Sequence, residues 1–214
     1  MSMVNNDGVG VLFNLLDGNG INLLVAEDAI ARICFLSSLV RSVKEGGRVV
    51  YIDLDTVLTA YIMHDMIDSK GIKMDIFIPD RGRFEELFAD ACSSIDDSTR
   101  LVVLDSIHGF YHLYDGVKVA SLNQLLISYI LLLAMHAEMH TIPFLVTSIR
   151  KRMVDEQNKD KKGYSSRYLW SKSSTILSAK YVHRDYKLLV RVVKHNIDAK
   201  GLMKELMINY TYCA

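Results

Sequence analysis

The sequence predicts an α/β fold: a mostly parallel central sheet covered by helices on both faces and closed by a C-terminal antiparallel hairpin. Three observations carry this. Short, β-rich apolar runs alternate with runs of helical periodicity, the order of βαβ units. The strand runs are almost continuously apolar, as strands buried on both faces must be. Near the C-terminus two alternating runs follow each other across a four-residue polar turn, which parallel strands cannot do and antiparallel strands do readily.

The expected parallel strands are Ile21 to Ala26, Val49 to Ile52, Ile76 to Ile78, Leu101 to Leu104 and Phe144 to Thr147. Between them, Ile30, Ile33, Leu36 and Val40 recur at helical spacing. So do Phe84, Leu87 and Phe88, and later Leu122, Leu125, Leu126, Tyr129 and Leu132; each set is read as the core face of a packed helix. Gly46 and Gly47 mark a helix end before the second strand. From Arg150 to Arg167 the chain is polar and charged without apolar periodicity, which predicts a mobile loop. Ser174 to Val182 and Lys187 to Lys194, joined by His183-Arg184-Asp185-Tyr186, form the hairpin. The tail from Ala199 to Tyr212 fits a further strand or a terminal helix.

The 214 residues, half of them hydrophobic and only 2 of them proline, suit one compact domain spanning 1–214. Lys and Arg number 25 and Asp and Glu 25, so no global field draws the chain to nucleic acid or membrane, and an anion site has to come from local clustering. The 3 cysteines, Cys34, Cys92 and Cys213, fit neither a disulfide framework nor a zinc knuckle, and a reducing, cytoplasmic setting is expected. The longest apolar run, Leu125 to Met135, is broken by Ser128 and falls short of the ~20 residues of a spanning helix, so no membrane partner is expected.

The junction after the first strand is the most informative place in the chain. Strand passes to helix through Glu27-Asp28-Ala29, where a nucleotide-binding α/β protein carries the glycines, Lys and Ser or Thr of a phosphate loop. None of them is present there. Asp105, after the apolar run Leu101 to Leu104, stands where such proteins order a magnesium ion, or else caps the next segment. Asp53 and Asp55 follow the second strand, and Asp55 is the residue placed to polarise a water as a general base does.

Gly47-Arg48-Val49-Val50-Tyr51-Ile52-Asp53, the strand end at Asp105-Ser106, Pro143 to Ser148 and the terminal strand Arg191 to His195 occur in the order and near the spacing of the RecA/RadA recombinase core. The match runs from about Leu12 to about Asn196 and resembles the short archaeal RadA paralogues of the RadB type, which lack the N-terminal helical domain. The resemblance implies a RecA-like three-layer core. It also implies a triphosphate cradle, and here the chain departs, offering Glu27, Asp28 and Arg32. Acid residues at a helix start satisfy its dipole themselves and repel phosphates. Catalysis is therefore expected to be absent, with Asp55 and Asp105 vestigial, no metal and no cofactor.

In the recombinases the segment after the strand resembling Phe144 to Ser148 contacts single-stranded DNA. Arg150, Lys151, Arg152, Lys159, Lys161, Lys162 and Arg167 are the candidates for phosphate contact, with Tyr164, Tyr168 and Trp170 available for stacking. Against this stand Asp155, Glu156 and Asp160, and the alternative that Trp170 packs in the core. The expected role is an accessory or structural subunit in DNA recombination or repair. Weak single-stranded DNA contact, an active RadA-type recombinase or a second copy would be its partners. Two alternatives are a KaiC-like regulatory or scaffold protein without DNA affinity, and a residual ATPase using Asp55 and Asp105. His108 with His112, and His136 with His140, have the one-face spacing of zinc ligands but no obvious third ligand; surface or partly buried histidines are the better reading. Met135 and Met139 read as core filling, and Arg81-Gly82-Arg83 as a solvated helix start.

Overall fold

Strands without a polar face need a helical layer on each side, and that requirement organises the molecule. The computed structural model describes residues 9–43, 46–64, 66–67, 71–80, 82–114, 116–150, 164–195 and 205–209. Among these residues eight strands form one sheet: β1 (Ile21–Ala26), β2 (Arg48–Asp53), β3 (Lys73–Phe77), β4 (Thr99–Asp105), β5 (Phe144–Ile149), β6 (Thr175–Val182), β7 (Lys187–His195) and β8 (Glu205–Asn209). Their order is β3-β2-β4-β5-β1-β6-β7-β8. The first five pairings are parallel and the last two antiparallel, β6 being the strand at which the sheet changes sense.

Among the described residues seven helices flank the sheet: α1 (Val9–Asn14), α2 (Ala29–Ser42), α3 (Val57–Met63), α4 (Phe84–Ser93), α5 (Ile107–Leu113), α6 (Val119–Met139) and α7 (Tyr164–Lys172). One core joins α1, α2 and α3 to the side chains of Leu24, Val49, Tyr51, Leu101, Val103 and Leu145. The other joins α4 to α7 with Leu23, Val50, Ile52, Val102, Leu104 and Val146. On β2 the odd-numbered residues face the first core and the even-numbered ones the second, and their partners on β4 follow, Val49 and Leu101 to one layer, Val50 and Val102 to the other, as a sheet buried on both faces dictates. The second core is rich in rings: Phe84, Phe88, Phe110 and Tyr129 meet at centroid separations from 4.5 to 6.1 Å.

Helix α2 is buried from Ala31 through Val40 because α1 covers the side that the sheet does not. Ile33, Leu36 and Val40 lie in that core as expected, whereas Ile30, in the first turn and beyond the cover of α1, is 39% exposed. Three further expectations need correcting. Leu132, Met135 and Met139 point outward from α6, being on the face opposite the sheet, so they are not core filling. Ile76 is only half-buried and Ile78 exposed because β3 is an edge strand. The end of the expected loop, 164–167, is the first turn of α7, a helix that the sequence hid because Leu169 is its one fully buried side chain among the described residues. The tail contributes a strand, β8, and Trp170 is 42% exposed, outside the core.

Candidate functional site

In an open parallel sheet the site lies beyond the carboxyl ends of the strands. Here β2, β4 and β5 end side by side in register, Asp53 opposite Asp105 and Leu104 opposite Val146, which sets Thr147 next to Asp105. Asp53, Asp105 and Thr147 therefore share the sheet face that α2 covers, and Tyr51, two residues before Asp53, lies on that face too. Asp55 follows in the loop to α3 and Ser106 in the turn to α5.

Arg32 enters this group from above. It lies one turn into α2, and its side chain, 1% exposed, runs down onto the strand ends. Its Nη1 is 2.6 Å from Asp55 Oδ2 and 3.5 Å from Asp105 Oδ1. Asp105 is fully buried and also accepts hydrogen bonds from the Tyr51 hydroxyl, at 2.6 Å, and from the Thr147 hydroxyl. Ser106 Oγ donates to Asp55 Oδ2 at 3.0 Å, and the Val57 amide to Asp55 Oδ1 at 3.3 Å. Asp53 takes both the amide and the hydroxyl of Thr59.

Burial is the largest influence on the two buried carboxylates, Asp105 and Asp53. It pushes Asp105 up to about 6 against the opposing pull of Arg32, Thr147 and Tyr51, and it raises Asp53 as well. Tyr51, buried beside Asp105, is held well above its ordinary value and stays a donor. Burial works against the charge of Arg32, but Asp105 and Asp55 outweigh it and hold the guanidinium more firmly protonated than usual. Arg32 Nε and Asp53 Oδ1 are buried without a hydrogen-bond partner among the described residues. Asp53, Asp55 and Asp105 also bring carboxylate oxygens within 4.8 Å of one another, the one such set of potential metal ligands among the described residues. The guanidinium already meets two of the three.

The strand-to-helix junction closes the other side. Asp28 is the N-cap of α2 and accepts the Ala31 amide at 2.8 Å, so the cap is filled by the chain itself. Glu27 does not share that duty. Its amide donates to Ala179 O at 2.8 Å, and its carboxylate turns to Lys180 Nζ at 3.1 Å. Of the seven basic candidates, Arg150 is exposed at the end of β5, with its amide bound to Ala26 O at 2.7 Å, and Arg167 is exposed on α7. Lys151, Arg152, Lys159, Lys161 and Lys162 lie outside the described residues, as do Arg81 and Cys213. His108 sits near the same strand end, accepting from the Ile149 amide at 3.5 Å, while His140 pairs with Asp97 at 2.7 Å; neither histidine pair gathers further ligands among the described residues. Tyr51, Thr147 and Thr59 were not candidates from sequence. Tyr51 and Thr147 carried a signal in retrospect, each being a polar group on an otherwise apolar strand.

No protein-family model matches the sequence, and no curated protein matches it. Solved structures do match. A RadB recombinase crystal structure superposes with a TM-score of 0.67 at 16% identity, over 98% of this chain and 100% of that one. A KaiC-like protein from the hyperthermophilic archaeon Pyrococcus horikoshii OT3 superposes with a TM-score of 0.57 at 11% identity, over 91% of this chain and 90% of that one. At such identities the likeness establishes the fold: a RecA-like α/β core of the RadB kind, with the antiparallel strands β6 to β8 closing the sheet.

Proposed function

We propose that this RecA-like chain is a non-catalytic paralogue, an accessory or structural subunit in DNA recombination or repair that contacts single-stranded DNA weakly through segment 150–170. The observation that carries the reading is Arg32, held against Asp55 and Asp105 at the strand ends. The residues present do not fit a triphosphate with its magnesium ion. A metal ion on Asp105 would have to displace a guanidinium that is already bonded and desolvated. A phosphate at the start of α2 would meet Asp28 on the helix cap and Glu27 beside it. A tethered cation thus gives this site the charge balance that a bound ligand would otherwise bring, and no chemical step is assigned to it.

The DNA contact rests on charge and place. Arg150 leaves β5 beside the end of β1, where its amide bonds Ala26 O, and Arg167 is exposed on α7, which packs on the same strand. A gel shift on single-stranded DNA at low salt tests this. Binding that weakens steeply with salt, and weakens again when Lys159, Lys161 and Lys162 are replaced by Ala, is expected. No binding at low salt, or binding indifferent to those lysines, overturns the DNA part. The KaiC-like neighbour favours a second reading, a regulatory scaffold, in which a protein partner is captured equally well after nuclease treatment.

A further inference from the structure

The outer face of α6 is unlike the rest of the helical surface. Ser121, Gln124, Ser128, Leu131, Leu132, Met135, Glu138 and Met139 are all exposed, and Glu138 is the only charge among them. Leu131 and Leu132 are each 43% exposed, Met135 52% and Met139 71%. Ser121, Ser128, Leu132, Met135 and Met139 fall on one line at steps of seven, four, three and four, the rhythm of a two-helix seam, with Glu138 about 100° away at its rim. The inner face, with Leu122, Leu126, Ile130 and Leu133, is buried in the second core. Although α6 is long and apolar enough to cross a membrane, that inner face is already committed to the sheet.

The neighbours of α6 choose the occupant. In this layer α4 packs on β2 and β3, α6 on β5 and α7 on β1, so α4 and α7 flank α6 on opposite sides. Exposed Glu85 and Asp90 make the α4 flank acidic, Glu86 being paired with Arg83 at 2.9 Å, while exposed Arg167 and Lys172 make the α7 flank basic. When two copies meet across α6 with their helices parallel, the two-fold axis sets each acidic flank against the partner's basic one; the antiparallel arrangement would set like against like. The formal net charge is +0, so no overall repulsion opposes the pairing. The seam from Ser121 to Met139 is about 27 Å long, and a specific pair needs on the order of 800 Å² per partner, so the outer edges of α4 and α7 have to join the contact.

We propose that the outer face of α6 is a homodimer interface, two copies of this chain pairing through parallel α6 helices with α4 of each against α7 of the other. The pairing is independent of whether the strand-end site binds a nucleotide. Sedimentation of the full chain between ~1 and ~100 μM, the range of a modest interface, tests it. A concentration-dependent dimer is expected, lost in L132E/M135E with circular dichroism and Tm unchanged. E85K/D90K weakens the dimer several-fold, and adding R167E and K172E to the same chain restores it. A monomer throughout, a dimer that survives L132E/M135E, charge changes that add instead of cancelling, or flotation of the native chain with phosphatidylglycerol vesicles each overturns the proposal. If L132E/M135E fails to fold, the charge-reversal series decides alone.

Discussion

Arg32 Nη1 meets Asp55 Oδ2 at 2.6 Å at the mouth of a parallel sheet, on a guanidinium with almost no solvent exposure. Desolvating a cation costs several kcal/mol, so the pair persists only because Asp105 and Asp55 both face it. The arrangement makes the strand ends a closed polar core, and it has measurable consequences.

Replacing Arg32 by Ala strands Asp105 and Asp55 beside Asp53. Urea unfolding should show a loss of about 3–5 kcal/mol, the usual cost of breaking a buried pair from one side. R32M/D105N, which removes charge from both partners, should recover much of that loss. Millimolar Mg²⁺ should raise the Tm of R32A, whose three carboxylates converge within 4.8 Å, and leave the native chain unchanged.

Asp105 gives a pH signature. Its folded value, about 6, lies above the ordinary 3.8, so the folded state holds the proton more tightly. The stability this contributes is full below pH ~4 and is lost as pH rises through ~6. Asp96, lowered to about 2 by its bonds to Ser98, works in the opposite sense at lower pH, so the native curve alone is ambiguous. The difference between native and D105N stability isolates the group. It should fall between pH ~4 and ~6 and stay flat above; a difference that rises over this window would refute the assignment.

Gly109 in α5 lies against the backbone of Leu54, the residue before Asp55, so closely that a Cβ there collides with the Leu54 carbonyl. Gly109→Ala should destabilise by roughly 1–3 kcal/mol. Because the shift falls on the Asp55 loop, it should also reduce the effect of a subsequent Arg32 change, read in a double-mutant cycle.

Asp28→Ala removes the side-chain cap of α2 and should cost about 1 kcal/mol, with Asp28→Asn nearly neutral, by chemical denaturation. Glu27→Gln should change stability little, since its partner Lys180 is more than half exposed.

Much of the fold was legible because burial on both faces leaves a plain mark. Val49 to Ile52 and Leu101 to Leu104 admit no reading but interior strands, and the turn at His183 to Tyr186 announces the hairpin. What the sequence concealed was context. Met135 and Leu132 share the apolarity of their inward neighbours Leu126 and Leu133, and composition does not say which side meets the sheet. Helix α7 is too polar to show, and the short apolar run Leu206 to Ile208 fits a strand or a helix equally. At the site, Asp105, Asp55 and Arg32 were each visible as residues, but their meeting was not. Arg32 is 23 positions from Asp55 and 73 from Asp105, and only the strand order that puts β2 beside β4, with α2 on the same sheet face, brings them together.

On the proposed function, Arg32 occupies the strand ends where a nucleotide and its metal would need to sit. Isothermal titration of the native chain with Mg-ATP should then give no saturable heat up to millimolar nucleotide; a dissociation constant in the micromolar range would overturn that reading.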